Sequence, residues 1–287
     1  MSPAEGTLTG FAPAKVNLTL HLQGRRDDGY HLMSSLVVFP EIGDTLTAHP
    51  SAEITLSIGG PFAGNLRQDQ NLVLAAARKL SDHHKLQSGA ALNLVKSLPV
   101  AAGIGGGSTD AATALRVLSR LWDVDVPEGL AVTLGADVPV CRRAPDPQMM
   151  EGIGDVVSPA PVLPACAVLL ANPGVGVATG EVFGAVREHH PPDGPELSAT
   201  NFGTFIDFVA WLRRARNDLQ APAIGIAPEI GDVLSALSPA AVARMSGSGA
   251  TCWALFPNLN EAEALARTVR RQSRDWWVET AWIRRPD

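Results

Sequence analysis

A glycine-rich segment between a predicted strand and a predicted helix constrains this 287-residue chain more than any other feature. It reads PVAAGIGGGSTD and runs from Pro99 to Asp110. Because glycine lacks a Cβ, its backbone amides can approach an anion closely and its φ can be positive. The segment leads into a helix, whose first N–H groups are unpaired and whose dipole favours negative charge. The pattern therefore predicts a phosphate-binding loop.

Two known loop types do not fit this segment. A Walker A loop needs a lysine where Gly107 stands, and a dinucleotide fingerprint needs a glycine where Ser108 stands. A flexible turn between a strand and a helix is the other interpretation of the segment. We expect the strand to cover Leu92–Leu98, and we expect Ser108, Thr109 or Asp110 to cap the helix. The apolar stripe of that helix consists of Ala111, Leu115, Leu118 and Trp122.

The rest of the chain mixes strand and helix patterns without the rhythm of a doubly wound sheet, which predicts an α+β fold. Lys15–Leu22 alternates apolar and polar residues and is predicted to form one strand. Further strands are predicted at Leu36–Phe39, Thr45–Ala48, Ile54–Ile58, Cys166–Ala171, Thr251–Phe256 and Val278–Trp282, and helices at Asn71–Leu80, Glu181–Glu188, Phe205–Arg214 and Glu261–Gln272. We expect an exposed loop at His189–Glu196 and a domain boundary near residue 155, giving domains 1–155 and 156–287.

Composition narrows the class of protein. A net charge of −6 argues against nucleic-acid binding, which usually needs a basic surface. The three cysteines are far apart in the sequence, so neither a disulfide framework nor a structural zinc site is expected. The chain shows no secretory signal and no apolar run of membrane-spanning length, so we expect a cytoplasmic protein without a membrane partner.

Three segments in order along the chain resemble the motifs of the GHMP kinases, the family of galactokinase, homoserine kinase and mevalonate kinase. The glycine-rich segment resembles the central phosphate-binding motif, Ala12–Leu18 resembles the first motif, and Met245–Cys252 resembles the third. The Gly24–His31 turn (GRRDDGYH), together with Leu134–Pro139 (LGADVP), narrows the match to members of the family whose substrate contains cytidine.

The resemblance implies a two-domain fold, with an N-terminal α/β domain carrying the phosphate loop and a C-terminal ferredoxin-like α/β sandwich. It also implies an enzyme that uses ATP with Mg²⁺, the ion being held mainly by the nucleotide. The residues that would bind ATP are Asn71, Lys96, Pro99, Gly103, Gly105, Gly106, Gly107, Ser108 and Thr109. Taken alone, Asn71 is equally typical of a helix N-cap and Lys96 of a routine strand lysine.

The resemblance also implies catalytic roles for Asp137 as the base and for Lys15 as a charge that supports phosphoryl transfer. Without it, Asp137 would be interpreted as a turn or capping residue and Lys15 as a solvated strand lysine. The implied substrate contacts are Asn17, Tyr30, His31, Thr179, Phe183, Gly247 and Ser248, with Tyr30 and Phe183 stacking on cytosine. Phe183 could equally belong to the core face of its helix.

Three other functions remain open at this point. A homoserine or mevalonate type of kinase would share the loop, but its substrate has no base to stack on Tyr30. An NAD-dependent oxidoreductase would need an acidic residue after the next strand, whereas Asp123 and Asp125 follow a helix. A non-catalytic binding protein would not need both Lys15 and Asp137. We expect a small-molecule cytidyl substrate and a monomer or a homodimer.

Overall fold

The computed structural model describes residues 6–64, 66–187 and 202–286. The strands are β1 (Leu8–Pro13), β2 (Val16–Asn17), β3 (His21–Arg25), β4 (His31–Val38), β5 (Gly43–Ser51), β6 (Thr55–Gly59), β7 (Gly89–Val95), β8 (Gln148–Gly152), β9 (Val156–Pro159), β10 (Cys166–Asn172), β11 (Ala243–Met245), β12 (Cys252–Phe256) and β13 (Trp277–Arg284). The α-helices are α1 (Leu72–His84), α2 (Gly106–Trp122), α3 (Val138–Cys141), α4 (Thr179–Gly184), α5 (Phe205–Arg214), α6 (Gln220–Ile226), α7 (Glu229–Ala236) and α8 (Leu259–Gln272). None of the helices in these ranges is both long and apolar enough to cross a membrane.

The chain forms two compact units. Unit 1 comprises the described parts of Met1–Ala14, Gly43–Val100 and Gly105–Arg142, and unit 2 comprises those of Lys15–Ile42, Ala101–Ile104 and Arg143–Asp287. A segment near the N-terminus thus belongs to the unit that contains the C-terminal half. The two units are compact in space but each consists of several segments, so they do not test the domain boundary near residue 155, which stays a prediction.

Unit 1 is a four-stranded sheet of order β1-β5-β7-β6 with two long helices packed on it. The β1–β5 and β5–β7 pairs are antiparallel, and β6 runs parallel to β7. Helix α2 lies directly against β1, because a Cβ added at Gly10 would come within 2.6 Å of Thr113 and Val117 side-chain atoms. The glycine in β1 is therefore what lets this helix approach the sheet.

Unit 2 contains an antiparallel sheet of order β11-β12-β10-β13. In chain order its elements run strand, helices, two strands, helix α8 and strand, and the first and third strands are central. This is the ferredoxin-like arrangement, which confirms the expected C-terminal sandwich. Every residue of the central strand β10 is buried, in agreement with the apolar sequence from Cys166 to Ala171.

The second sheet of unit 2 has the order β2-β4-β8-β9, with β3 also pairing with β4. The prediction of one strand over Lys15–Leu22 is wrong, because the ladder breaks between β2 and β3. The Thr19 hydroxyl accepts a hydrogen bond from the Leu36 N–H. The Leu20 N–H donates to the Arg216 carbonyl. Asn17, Thr19 and His21 are buried, so this segment has no solvent-exposed polar face.

Helix periodicity predicted α5 and most of α8 correctly, and Thr204 and Asn258 cap these two helices. The helix predicted at Glu181–Glu188 instead begins at Thr179 and ends at Gly184. Helices α6 and α7 were not predicted. Glu188 and the loop expected at His189–Glu196 lie outside the described residues.

Candidate active site

The glycine-rich loop has the backbone that a phosphate cradle requires. Gly103 and Gly105 have φ of 72° and 61°, in the left-handed region that glycine adopts easily. Helix α2 begins at Gly106 with Gly105 at the N-cap, and no side chain caps its first turn. Backbone N–H groups of that turn are therefore available to an anion.

The expectation that Ser108, Thr109 or Asp110 caps α2 is wrong, because all three lie inside the helix. The Thr109 hydroxyl donates to the carbonyls of Gly105 and Gly106, at 3.2 and 2.9 Å. Ser108 is half-buried in the first turn. The N-cap is Gly105, so the helix begins at least three residues earlier than the side-chain pattern indicates.

The loop Ser246–Gly249 packs tightly against Gly103. A Cβ at Gly103 would lie 2.5 Å from the Gly249 carbonyl oxygen and 2.7 Å from that of Ser246. No larger residue fits without moving one of the two loops. The central and third sequence motifs are thus in backbone contact.

Ser246 connects all three motifs, a role that the sequence analysis missed. Its hydroxyl accepts the Asn17 N–H at 3.1 Å and donates to the Gly103 carbonyl at 3.0 Å. The indole N–H of Trp253 donates to the Asn17 carbonyl at 3.0 Å. The only sequence signal for this role was the hydroxyl at the start of the Ser-Gly-Ser-Gly turn.

The first motif places two polar side chains of unit 2 in buried positions. Lys15 is only 4% exposed, so the solvated-lysine interpretation is wrong, and its backbone N–H donates to the Ile104 carbonyl at 2.9 Å. The Asn17 amide donates to the Ser35 hydroxyl at 2.7 Å, while its Oδ1 is buried without a hydrogen-bond partner among the described residues. Since buried polar atoms are normally paired, this oxygen is a candidate ligand contact. It faces Gly247, where an added Cβ would lie 3.3 Å from it.

Asp137 lies in unit 1 at the N-cap position of α3. Its side chain makes no capping hydrogen bond, which argues against the capping interpretation. The residue is half-buried. A carboxylate in such a position can accept a proton from a bound hydroxyl.

Part of the predicted cytosine site comes together within unit 2. The rings of His31 and Phe183 lie 5.4 Å apart with an interplanar angle of 37°. Phe183 is half-buried, while its neighbour Val182 occupies the core. Tyr30 is 62% exposed beside His31, which leaves its ring accessible for stacking.

The hydroxyls of Thr179 and Ser248 form another predicted pair, 2.9 Å apart. Thr179 is exposed and Ser248 is buried. Asn217 supports the turn Ser246–Gly249, because its amide donates to the carbonyls of Met245 and Gly247, each at 2.8 Å. Asn217 therefore fixes the backbone of the turn, and the Ser248 hydroxyl contacts Thr179.

On the predicted nucleotide side, Asn71 is the N-cap of α1, and its Oδ1 accepts the Val73 N–H at 2.9 Å. Lys96 is not an exposed strand lysine. It follows β7 and is buried between two carboxylates, with its Nζ 2.5 Å from Asp44 and 2.7 Å from Asp110. Burial raises the pKa of Asp110 to about 7, against the opposing effect of Lys96 and with the help of Asp44.

The donor set of the described residues fits an ion held mainly by nucleotide phosphates. Within that part of the chain, no group of three or more His, Cys, Asp or Glu side chains is placed to hold a metal. Magnesium needs only one or two protein ligands when phosphates supply the others. Ser108, in the first turn of α2, offers one half-buried hydroxyl.

Comparison with known proteins identifies the family. Residues 71–157 match the family model of the GHMP kinases N terminal domain, and residues 197–275 match that of the GHMP kinases C terminal. A Ruegeria pomeroyi protein named 4-diphosphocytidyl-2-C-methyl-D-erythritol kinase is 50% identical over 277 residues, covering 94% of this chain and 97% of the relative. The chain belongs to the GHMP kinase family.

Other GHMP kinases are similar to this chain in sequence or in structure. A Parvibaculum lavamentivorans protein of the same name is 45% identical over 285 residues, covering 96% of this chain and 98% of the relative. The crystal structure of a 4-(cytidine 5'-diphospho)-2C-methyl-D-erythritol kinase matches with a TM-score of 0.75 and 31% identity, over 95% of this chain and 98% of that one. A homoserine kinase from Cytophaga hutchinsonii reaches a TM-score of 0.72 at 15% identity, covering 98% and 96%, and shows the shared fold alone. A small-molecule kinase is thus the enzyme class, and the oxidoreductase alternative is wrong.

Proposed function

We propose that this GHMP kinase transfers the γ-phosphoryl group of ATP to the 2-hydroxyl of 4-diphosphocytidyl-2-C-methyl-D-erythritol, a step in the synthesis of isoprenoid precursors. The observation that carries the proposal is the Ser246 junction, which ties Asn17 to Gly103 within one hydrogen-bonded group. The near full-length similarity to relatives named for this reaction supports it.

The phosphate loop is the proposed site of the ATP phosphates. The amides of Gly103, Gly105, Gly106 and Gly107 would bind the phosphate oxygens, with Pro99 setting the entry of the chain. Ser108 and Thr109 would assist through hydroxyls, and Asn71 and Lys96 would lie near adenosine. Mg²⁺ would neutralise phosphate charge when it is bound with the nucleotide.

Asp137 and Lys15 are the proposed catalytic residues. The substrate oxygen forms a bond to the γ-phosphorus as the bond to the β,γ-bridging oxygen breaks, and ADP leaves. The proton of the hydroxyl passes to Asp137. The ammonium of Lys15 offsets the negative charge that develops on the transferred group.

The cytidyl end of the substrate would bind in unit 2. Tyr30 and Phe183 offer ring faces for stacking on cytosine, and His31 offers a ring nitrogen for its edge. Thr179, Ser248 and Gly247 would contact the diphosphate. Asn17 Oδ1, which has no hydrogen-bond partner among the described residues, would accept a hydrogen bond from a hydroxyl of the erythritol.

The test is ADP release by the purified protein with ATP, Mg²⁺ and each of three alcohols: the cytidyl substrate, mevalonate and homoserine. We expect turnover with the cytidyl substrate alone. Asp137→Asn and Lys15→Met should each lose nearly all of it while keeping the wild-type unfolding temperature. Asp146→Asn, which changes an exposed carboxylate, is the matched control and should be fully active.

Turnover with mevalonate or homoserine instead would reject the substrate and leave a different GHMP kinase, the second candidate. Near-normal activity of Asp137→Asn or Lys15→Met would remove that residue from the mechanism.

A further inference from the structure

Three charged side chains of unit 1 are buried together where the phosphate loop begins. Asp44, Lys96 and Asp110 are exposed by 0%, 4% and 2%. Their ammonium and carboxylates form two contacts, of 2.5 and 2.7 Å, that share the Lys96 Nζ. We call these residues the buried triad.

Asp44 holds the chain as it enters the loop. Its Oδ1 accepts the backbone N–H groups of Ser97 and Leu98, at 2.6 and 2.9 Å, while its Oδ2 contacts Lys96. The backbone of Lys96 is fixed as well, because its N–H donates to the Gly59 carbonyl at 2.8 Å. Residues 96–98 therefore have little freedom.

Asp110 holds the chain as it leaves the loop. It lies on the second turn of α2, and its Oδ2 accepts from Lys96. The same ammonium lies close to the first turn, since a Cβ added at Gly106 would be 3.4 Å from Nζ. One lysine thus links the segment before the loop with the helix after it.

Stability alone does not explain this arrangement. Removing charges from water is costly, and buried ion pairs are often no more stabilising than apolar residues of similar volume. With both carboxylates ionised the triad has a net charge of −1, and Asp110 Oδ1 is buried without a hydrogen-bond partner among the described residues. The arrangement does, however, fix the two ends of the segment whose amide groups would bind phosphate.

We propose that Asp44, Lys96 and Asp110 are positioning residues that hold the two ends of the glycine-rich loop in the geometry needed to bind the ATP phosphates. The inference rests on the proposed function and deepens it. It gives the Lys96 side chain a role that needs no contact with the nucleotide.

The decisive variant is the double substitution Lys96→Met with Asp110→Asn. It removes both contacts of the ammonium but keeps the net charge at −1 and leaves the Asp44 bonds to Ser97 and Leu98 in place. Lys96→Met alone leaves two buried carboxylates and serves to show the effect of charge imbalance on folding. Leu118→Ala, a fully buried change on the same helix, is the control for lost stability.

Two measurements are made on each folded variant: the KM for ATP and for the cytidyl substrate, and the dissociation constant of ADP from calorimetry. We expect the double variant to raise the KM for ATP and the ADP dissociation constant by up to about 100-fold, the loss that a misplacement of about 1 Å can cause. Its KM for the cytidyl substrate should stay within about twofold of wild type, as should all three constants of Leu118→Ala.

An unchanged KM for ATP in the folded double variant would overturn the inference, as would an equal rise in Leu118→Ala. Failure of the proposed function gives a different result, because wild type would then be inactive with the cytidyl substrate. The ADP dissociation constants would still decide whether the triad positions the loop.

Discussion

Ser246→Ala tests whether the junction of the three motifs depends on one hydroxyl. The side chain is fully buried and makes two hydrogen bonds, to the Asn17 N–H and to the Gly103 carbonyl. Alanine leaves both backbone groups buried without this partner. Each unsatisfied group costs about 1–3 kcal/mol, so for two groups we expect a loss of about 2–6 kcal/mol in the free energy of unfolding of the unit.

The assay is urea unfolding at 25 °C, combined with steady-state kinetics at saturating ATP. Ser248→Ala is the matched control from the same turn. Its hydroxyl contacts Thr179, which is exposed and can bond to water instead, so its cost should be below about 1 kcal/mol. Ser246→Ala should also lower kcat/KM, because Asn17 and Gly103 lose their common anchor. A Ser246→Ala protein no less stable than Ser248→Ala would show that the junction does not depend on this hydroxyl.

Three further predictions concern charge, backbone and thiols. Burial raises the pKa of Asp110 to about 7 from its ordinary 3.8, so between these pH values the folded protein holds a proton that the unfolded chain has lost. The free energy of unfolding is therefore highest below pH 4 and falls as the pH rises to 7. Asp110→Asn should remove this decline. The free energy of unfolding in urea, wild type minus variant, should therefore fall between pH 4 and 7 by at most about 1.4 kcal/mol per pH unit, and a difference that does not change with pH would contradict the prediction. Gly103→Ala should lower the melting temperature sharply because of its φ and the 2.5 Å approach to Gly249, whereas Gly225→Ala, with open space around it, should not. Burial raises the pKa of the Cys166 thiol to about 12 and that of Cys252 further, so a disulfide reagent should label them only in urea; labelling of the native protein would disprove this.

Local sequence patterns predicted the elements whose own periodicity decides their structure. Helix α5 has an apolar face and a Thr204 cap, and its predicted bounds are the observed ones. Strand β10 is buried throughout, as the apolar sequence from Cys166 to Ala171 indicates. In both cases the residues that determine the element lie within it or next to it.

Patterns failed where distant groups replace the local hydrogen bonds. The alternation of Lys15–Leu22 predicted one strand, yet the Leu20 N–H bonds to Arg216, almost 200 positions away in the chain. Similarly, a side-chain rule placed the cap of α2 at Ser108–Asp110, but the left-handed Gly105 starts the helix earlier. A single sequence contains no record of which remote backbone group will become a partner.

The candidate site shows the same division between motif and partner. The glycine loops could be found because anion binding demands glycine itself, at recognisable positions. The partners Asp44 and Asp110 could not be assigned in this way, since a carboxylate that will be buried looks like any surface carboxylate in a sequence.

Three buried cationic side chains show why exposure could not be predicted from the sequence pattern. Charged residues in or beside a strand are normally taken as exposed, but Arg244 in β11 is buried, as are Lys15 directly before β2 and Lys96 directly after β7. Arg244 is accommodated because it donates to the carbonyls of Leu18, Leu212 and Ala215 and lies over the Trp253 ring. Such positions are costly unless every donor is satisfied, so they occur where a fixed geometry is required. In this chain two of the three, Lys15 and Lys96, lie at the ends of segments that the proposed reaction needs in a fixed geometry. Positions that depart from the alternation of buried apolar and exposed polar residues are therefore a better guide to the site than positions that follow it.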